Sequence, residues 1–127
     1  MHKTVNSASA PAALGPYSQA ISAGGALFMS GQIPVNPASG LIEAESIEGQ
    51  TRQVFANLSA VLAEAGMSLA DVVKTTVFMS DISEFGAMNA VYGELFGENR
   101  PARSTIQVAA LPKGAKVEIE AVAVPGK

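Results

Sequence analysis

Apolar residues twice switch from the two-residue period of a β-strand to the 3.6-residue period of an α-helix, and this order restricts the fold more than any other feature. Helical spacing runs over residues 46–65, and Gly66 stands where a helix C-cap is expected. A second apolar stripe follows residues 81–84 (Asp-Ile-Ser-Glu), which have the spacing of a capping box, and ends at Gly97. These patterns predict two helices.

The segments around the two stripes have the composition of strands. Residues 17–21 and 26–30 flank a Ser-Ala-Gly-Gly turn and predict a hairpin, and residues 72–79 are rich in Val, Thr and Phe. Two more strands are predicted at 104–109 and 116–124, around a Leu-Pro-Lys-Gly turn. The order β-β-α-β-α-β-β predicts an α+β fold, with two helices on one face of a mixed sheet.

Chain length and charge content bear on domains and assembly. The 127 residues predict a single domain over 1–127. Charged residues make up 15% of the chain, whereas about 25% is usual for soluble chains, and the mean hydropathy is +0.27. The chain is short of solvated surface for a free monomer, and burial of surface between subunits is the simplest remedy.

Several classes of function are disfavoured by composition. The chain has no cysteine and a single histidine, His2, at its start, which argues against disulfides, thiolate chemistry and histidine-based catalytic or metal sites. A formal net charge of −3 gives no electrostatic footprint for nucleic acid. No secretion signal or apolar run of about 20 residues is visible, so we expect a cytoplasmic protein without a membrane partner.

The final predicted strand alternates between an apolar face and a mixed face. The apolar face consists of Val117, Ile119, Ala121 and Ala123. If the preceding turn pairs Ala110 with Ala115, Arg103 lies on the same non-core face as Glu118 and Glu120. This register predicts one arginine beside two carboxylates.

From the sequence alone, an arginine beside two carboxylates has two interpretations. A guanidinium is a planar fork that binds a carboxylate through two hydrogen bonds, and a nearby carboxylate can orient a water molecule or move a proton. Together they suit a small acid that carries a hydrolysable group. The alternative is a cross-strand ion pair that stabilises the fold by about 0–1 kcal/mol.

Six segments of the chain resemble, in order, the motifs of the RidA/YjgF family. They are residues 15–20 (Gly-Pro-Tyr-Ser-Gln-Ala), 30–36 (Ser-Gly-Gln-Ile-Pro-Val-Asn), 74–79 (Lys-Thr-Thr-Val-Phe-Met), 89–92 (Asn-Ala-Val-Tyr), 101–104 (Pro-Ala-Arg-Ser) and the closing stretch from Leu-Pro-Lys at 111–113 to Val-Glu-Ile-Glu-Ala at 117–121. Each motif alone is weakly specific, but six in register across nearly the whole chain are specific.

This resemblance implies a homotrimer of chorismate-mutase-like subunits, whose sheets face inward around a barrel-like centre and whose clefts lie between neighbouring chains. The implied reaction is hydrolysis of 2-imino acids (2-iminobutanoate, 2-iminopropanoate) and their enamine tautomers to 2-keto acids and ammonia. Pyridoxal-phosphate enzymes release such imines, so a functional link to them is implied without stable binding. No cofactor or metal is implied for the deaminase itself.

The resemblance also implies roles for individual residues. Arg103 would bind the substrate carboxylate, and Glu118 would position the attacking water and carry a proton. Further substrate contacts are implied at Tyr17, Ser30, Gly31, Asn89 and Thr105. No chemistry is implied for Glu120.

Two departures from the family pattern and two other functions stay open. Thr105 stands where well-known branches have cysteine, and the connection over residues 96–100 is shorter than in some relatives. A non-catalytic trimeric protein that binds small carboxylates, such as a sensor, would also use Arg103. Ribonuclease activity or translation inhibition, attributed to some relatives, is disfavoured by the negative charge and the lack of an internal histidine.

Overall fold

A computed structural model describes residues 2–126. Along the chain the elements are β1 (Lys3–Val5), β2 (Ala20–Ala23), β3 (Ala26–Gln32), β4 (Val35–Asn36), β5 (Leu41–Ile42), α1 (Ile47–Glu64), β6 (Val72–Met79), α2 (Phe85–Phe96), β7 (Ala102–Gln107) and β8 (Val117–Ala123). Short 3₁₀ turns precede β6, α2 and β8. The two predicted helices are therefore confirmed, and each of the five predicted strands overlaps a strand of the structure. The bounds of two differ most: β2 begins at Ala20 rather than at residue 17, and β7 covers 102–107 rather than 104–109.

Local side-chain hydrogen bonds set the helix boundaries. The Ser46 side chain accepts a hydrogen bond from the Gly49 amide at 3.0 Å and caps α1, and Gly66 follows the helix with a φ of 74°. Asp81 accepts from the Ser83 amide and begins a 3₁₀ turn before α2, so the predicted capping box is wrong in its bonding. Among residues 2–126, neither helix is long and apolar enough to cross a membrane.

Six strands form one sheet in the order β1-β2-β3-β8-β6-β7, and β4 pairs with β5 separately. Only β6 and β7 run parallel to each other within this sheet; the other neighbours are antiparallel. Both helices pack on one face, where the largest enclosed side chains include Leu27, Leu58, Leu62, Val77, Met88 and Ile119. This arrangement confirms the α+β fold and its mixed sheet.

The predicted pairing of the last two strands is wrong. β7 pairs with β6, and β8 lies between β3 and β6, so β7 and β8 are not neighbours. Helix α2 connects β6 to β7 as a crossover between parallel strands, which is what such pairs require. The polar sequence of β7 suits a sheet edge, whereas the apolar alternation of β8 suits the centre.

The corrected register also changes which side chains share a face. Arg103 lies beside Thr75, which is fully buried under the helices, whereas Glu118 lies beside Phe78 on the uncovered face. Arg103 therefore projects from the helix-covered face of β7 and Glu118 from the opposite face of β8. The prediction that Arg103, Glu118 and Glu120 share one face is wrong for a single chain, and so is the cross-strand ion pair.

The other predictions about β8 hold. Its four apolar residues at 117, 119, 121 and 123 are at most 3% exposed and form the floor of the core. The uncovered face of the sheet combines acids with large apolar side chains, among which Phe28 is 49% and Ile106 is 46% exposed. That face is apolar enough to be covered by another molecule.

Candidate functional site

Arg103 is held by uncharged groups of helix α2. Its Nη1 donates a 2.7 Å hydrogen bond to Oδ1 of Asn89, and its guanidinium lies over the ring of Tyr92, 4.7 Å from the ring centroid. The Phe85 ring lies 5.4 Å away. We call these four residues the Arg103 cluster. The aromatic faces attract the cation and fix its plane without neutralising its charge.

Tyr92 is itself held in place by residues of the hydrophobic core. It is 7% exposed, and its Oη lies 2.7 Å from Oγ1 of the fully buried Thr75. Its ring packs against Phe55 and Phe96, with centroid separations of 5.6 and 4.8 Å. Arg103 thus rests on a rigid part of the core, although it stands on an edge strand.

The charge of Arg103 has no acidic partner among the described residues. The two ion pairs within 2–126 join Arg52 to Glu94 and Lys116 to Glu84. In that same range, the single side-chain hydrogen bond of Arg103 goes to Asn89. Because a guanidinium has five N–H donors, most of them stay available for an external carboxylate.

Glu118 is the candidate acid and base on the other face. Its side chain is half-buried, and none of the hydrogen bonds within residues 2–126 involves its carboxylate. Burial raises the pKa of Glu118, and the like charge of Glu120 raises that pKa further. A raised pKa makes the carboxylate a stronger base, so Glu118 has a property that suits a group that both accepts and returns a proton.

Ser30 connects the Glu118 region to the loop that carries Tyr17. The Ser30 amide donates to the Gln19 carbonyl at 2.9 Å, and its Oγ donates to the Ser18 carbonyl at 2.7 Å. Tyr17 directly precedes Ser18 in this loop and is 56% exposed. We call Glu118, Gly31, Ser30 and Tyr17 the Glu118 cluster.

Gln19 anchors this loop and is a positioning residue that the sequence analysis missed. Its buried side chain accepts from the Ser7 amide at 2.6 Å and donates to the carbonyls of Ser7 and Pro11. A glutamine within a Pro- and Ala-rich segment gives no periodic signal for this role. Tyr92 and Phe85 were missed as well, because their spacing in α2 predicts only core packing.

Thr105 lies on the helix-covered face of β7, two residues after Arg103 and beside Val77. Its Oγ1 is buried and has no hydrogen-bond partner within residues 2–126. The hydroxyl therefore points into the protein, and the backbone of β7 is the part of Thr105 better placed for a substrate contact.

The predicted site residues thus fall into two separate groups. Asn89 and Thr105 lie with Arg103. Gly31, which Ser30 precedes, lies against Glu118, whereas Tyr17 is connected to this group only through the loop that Ser30 holds.

Strand β6 separates β7 from β8, so these two strands are about 10 Å apart. Arg103 aligns with Ala121, three residues along β8 from Glu118, and the side chains of Arg103 and Glu118 project from opposite faces of the sheet. A cleft that contains both Arg103 and Glu118 requires two copies of the chain.

Together, the fold and the two clusters define a small α+β domain with an unpaired, aromatic-backed arginine and a half-buried glutamate. A family model described as Endoribonuclease L-PSP matches residues 7–125, and the chain belongs to this family, also known as RidA/YjgF. The resemblance inferred from the six motifs is thereby confirmed.

Relatives match over nearly the full chain. A RutC family protein of Pyrococcus horikoshii is 50% identical over 97% of this chain and 98% of that protein. The 2-iminobutanoate/2-iminopropanoate deaminase of Salmonella typhimurium is 46% identical, covering 98% of both chains. Among solved structures, the E. coli YjgF gene product has a TM-score of 0.93 at 46% identity, covering 98% of this chain and 99% of that one.

A second solved structure bears on ligands. E. coli TdcF with bound serine is 43% identical, with a TM-score of 0.93, covering 98% of this chain and 99% of that one. These similarities extend over the whole fold rather than over one motif.

Proposed function

We propose that this protein hydrolyses 2-imino acids, 2-iminobutanoate and 2-iminopropanoate among them, to 2-keto acids and ammonia. The observation that carries the proposal is the unpaired guanidinium of Arg103, which uncharged side chains hold in place. The deaminase name of relatives at 46% identity over nearly the whole chain supports it.

We further propose that the active site lies between two subunits of a homotrimer. The Arg103 cluster of one subunit and the Glu118 cluster of its neighbour face the same cleft. The exposed apolar side chains of Phe28 and Ile106 support this assembly, because facing sheets would cover them. A barrel-like centre would follow from the inward-facing sheets.

In this site Arg103 binds the carboxylate of the imino acid through two parallel hydrogen bonds. The Tyr92 ring restricts the guanidinium plane, and so the bound carboxylate has one preferred orientation. Much of the entropy that is lost in orienting the substrate is therefore lost during binding rather than in the chemical step, which lowers the barrier of that step. The serine bound to the similar protein E. coli TdcF, itself a small carboxylate, supports a ligand of this chemical class.

Glu118 then positions one water molecule and accepts its proton as the water oxygen bonds to the iminium carbon. Glu118 returns the proton to the nitrogen of the resulting carbinolamine, and the carbon–nitrogen bond breaks as the carbonyl forms. The hydroxyl proton passes to Glu118 and from there to the departing ammonia, so the products are the 2-keto acid and ammonium. No net oxidation or reduction takes place. The raised pKa of Glu118 suits both halves of this proton transfer.

The experiment generates 2-iminobutanoate from threonine with a pyridoxal-phosphate dehydratase and measures the release of 2-ketobutanoate. We expect the wild-type protein to accelerate release and Arg103→Ala to abolish the acceleration. Arg52→Ala is the matched control, since Arg52 is a surface arginine paired with Glu94 away from both clusters. Absence of acceleration by the wild-type protein would contradict the proposal.

A non-catalytic carboxylate-binding protein is the second candidate, because the Arg103 cluster is complete within one chain and does not need Glu118. Calorimetry with 2-ketobutanoate separates the two. Binding that requires Arg103, without any acceleration of imine hydrolysis, favours this candidate. Binding together with a rate that depends on Glu118 favours the deaminase.

A further inference from the structure

Gly31 occupies a strand position at which the backbone does not require glycine. Six glycines between residues 2 and 126 have a positive φ, and Gly31 is not among them. A glycine within a strand destabilises the folded protein, because it is flexible in the unfolded chain and contributes no side chain to packing. Its presence here therefore calls for a reason other than backbone conformation.

The side chain of Glu118 supplies that reason. A Cβ atom at position 31 would lie 2.9 Å from Cδ and 3.0 Å from Cγ of Glu118, and nearer still to Oε2. Real Cβ atoms essentially never lie closer than 3.0 Å to a heavy atom of a residue that is not a chain neighbour, and the added atom would come that close to Cδ and Oε2. A side chain at 31 and the present position of the Glu118 carboxylate therefore exclude each other. The carboxylate occupies the space that the glycine leaves empty.

The backbone of β3 is fixed at this point, so it does not move away from a new side chain. The pairing of β3 with β8 shifts by one residue between Met29 and Gln32, which places a β-bulge at Ser30 and Gly31. Both hydrogen bonds of Ser30 to the Tyr17 loop hold the bulge in place. The flexible end of Glu118 is then the part that must move.

We propose that Gly31 is a positioning residue that sets the location of the Glu118 carboxylate by leaving space for it. This inference rests on the proposed deaminase function for its kinetic consequences, and on the geometry of β3 and β8 for its structural ones. A methyl group at position 31 turns the carboxylate away from the bulge and from the place where it meets the water.

The charged surroundings of Glu118 make the displacement measurable. Its neighbours across the sheet, Gly31 on β3 and Phe78 on β6, are uncharged. Glu120 is the nearby charge on its own strand, and Lys74 lines a shallow depression with Glu120 farther along the same face. Because burial is the main cause of the raised pKa of Glu118, a carboxylate displaced into water should titrate closer to its ordinary range.

The kinetic test uses a double-mutant cycle of Gly31→Ala and Glu118→Gln. In the wild-type background we expect Gly31→Ala to lower the rate of 2-ketobutanoate release by about tenfold or more, with the Kd for 2-ketobutanoate changed less than about twofold. In the Glu118→Gln background Gly31→Ala should have no further effect. Equal losses in both backgrounds would overturn the proposal.

Gly86→Ala is the matched control, because Gly86 lies on the exposed face of α2 with no atom within 4 Å of an added Cβ. It should leave the rate unchanged.

A second double variant covers the case in which Gly31→Ala fails to fold. Combining Gly31→Ala with Glu118→Ala removes the side chain that the new methyl group would contact, so this double variant should fold. Failure of both variants to fold would contradict the proposal.

A titration separates this inference from the proposed function, since it needs no turnover. Carbon-13 NMR of the glutamate carboxyl groups, assigned with Glu118→Gln, should give a lower pKa for Glu118 in Gly31→Ala than in the wild-type protein. An unchanged pKa would contradict the inference even if the wild-type protein is an active deaminase. A lowered pKa in a protein without deaminase activity would support the geometry and refute the proposed function.

Discussion

Glu118 illustrates how a residue suited to a reaction can reduce the stability of the fold. Its carboxylate is half-buried, next to Glu120, and has no hydrogen-bond donor within residues 2–126. A group with a raised folded-state pKa binds protons more tightly in the folded chain than in the unfolded one. The folded state therefore loses stability as the pH rises and Glu118 ionises.

Glu118→Gln should make the protein more stable at pH 7 while reducing the proposed activity to a small residual rate. The gain should stay below about 1 kcal/mol, because water still reaches part of the side chain. It should shrink as the pH falls through the raised pKa and vanish below the unfolded value of 4.5. Urea unfolding at pH 7 and pH 4, at one protein concentration, measures the difference.

Glu94→Gln provides the opposite control. Arg52 lowers the pKa of Glu94 through a side-chain hydrogen bond and its charge, so this substitution should destabilise the protein at pH 7. Destabilisation by Glu118→Gln at pH 7 would contradict our account of Glu118.

Thr105→Val should stabilise the protein or leave its stability unchanged. The substitution replaces a buried hydroxyl that lacks a partner with a methyl group of the same shape, which favours folding by up to about 1 kcal/mol. If the substrate contact at this position is made by the backbone, the rate should stay within about threefold of wild type. A much larger loss would show that the hydroxyl itself is needed.

Two substitutions of Tyr92 separate its ring from its hydroxyl. Tyr92→Phe keeps the ring beneath Arg103 and leaves the Thr75 hydroxyl without its partner, so it should cost about 1–3 kcal/mol of stability but little affinity for 2-ketobutanoate. Tyr92→Leu removes the ring face and should weaken binding several-fold. Equal affinities of the two variants would exclude a role of the ring in orienting Arg103.

At the scale of elements, the hydrophobic periods determine nearly all of the helices and strands. The strand predicted at residues 72–79 matches β6, and the helix predicted at 46–65 contains α1 within one residue at each end. The pattern missed β1 and the short β4–β5 pair, since strands of two or three residues have too few positions to establish a period.

The strand order was the main error at this scale. The Leu-Pro-Lys-Gly turn at 111–114, between two adjacent strand patterns, favours a hairpin and therefore predicts a direct pairing of β7 with β8. The helix between β6 and β7 contained the competing signal, because a strand-helix-strand unit places its strands in parallel. The polar residues of β7 and the apolar alternation of β8 also distinguish an edge strand from a central one.

The same error decides how much of the site the sequence can predict. The identities of Arg103 and Glu118 follow from motifs, but their positions on opposite faces follow only from the strand order. The sequence could not show which side chains surround Arg103, because Asn89 and Tyr92 reach it across α2 rather than along a strand.

At the scale of the whole molecule, low charge and an uncovered apolar face favour association. The charged fraction of 15% leaves little solvated surface, and Phe28 and Ile106 lie exposed on the open side of the sheet. We expect sedimentation at micromolar concentration to give a mass about three times the 13.0 kDa of one chain. A mass of one chain would contradict the homotrimer.

The most direct measurement of the central claim, that each active site takes Arg103 from one subunit and Glu118 from another, is complementation between two impaired variants. Arg103→Ala and Glu118→Gln chains, unfolded together in equal amounts and refolded, should regain about one quarter of the wild-type rate, because random assortment leaves both residues intact in one cleft of four. Each variant refolded alone should keep only a small residual rate, far below one quarter of the wild-type rate. A mixture no more active than the separate variants would contradict the shared site.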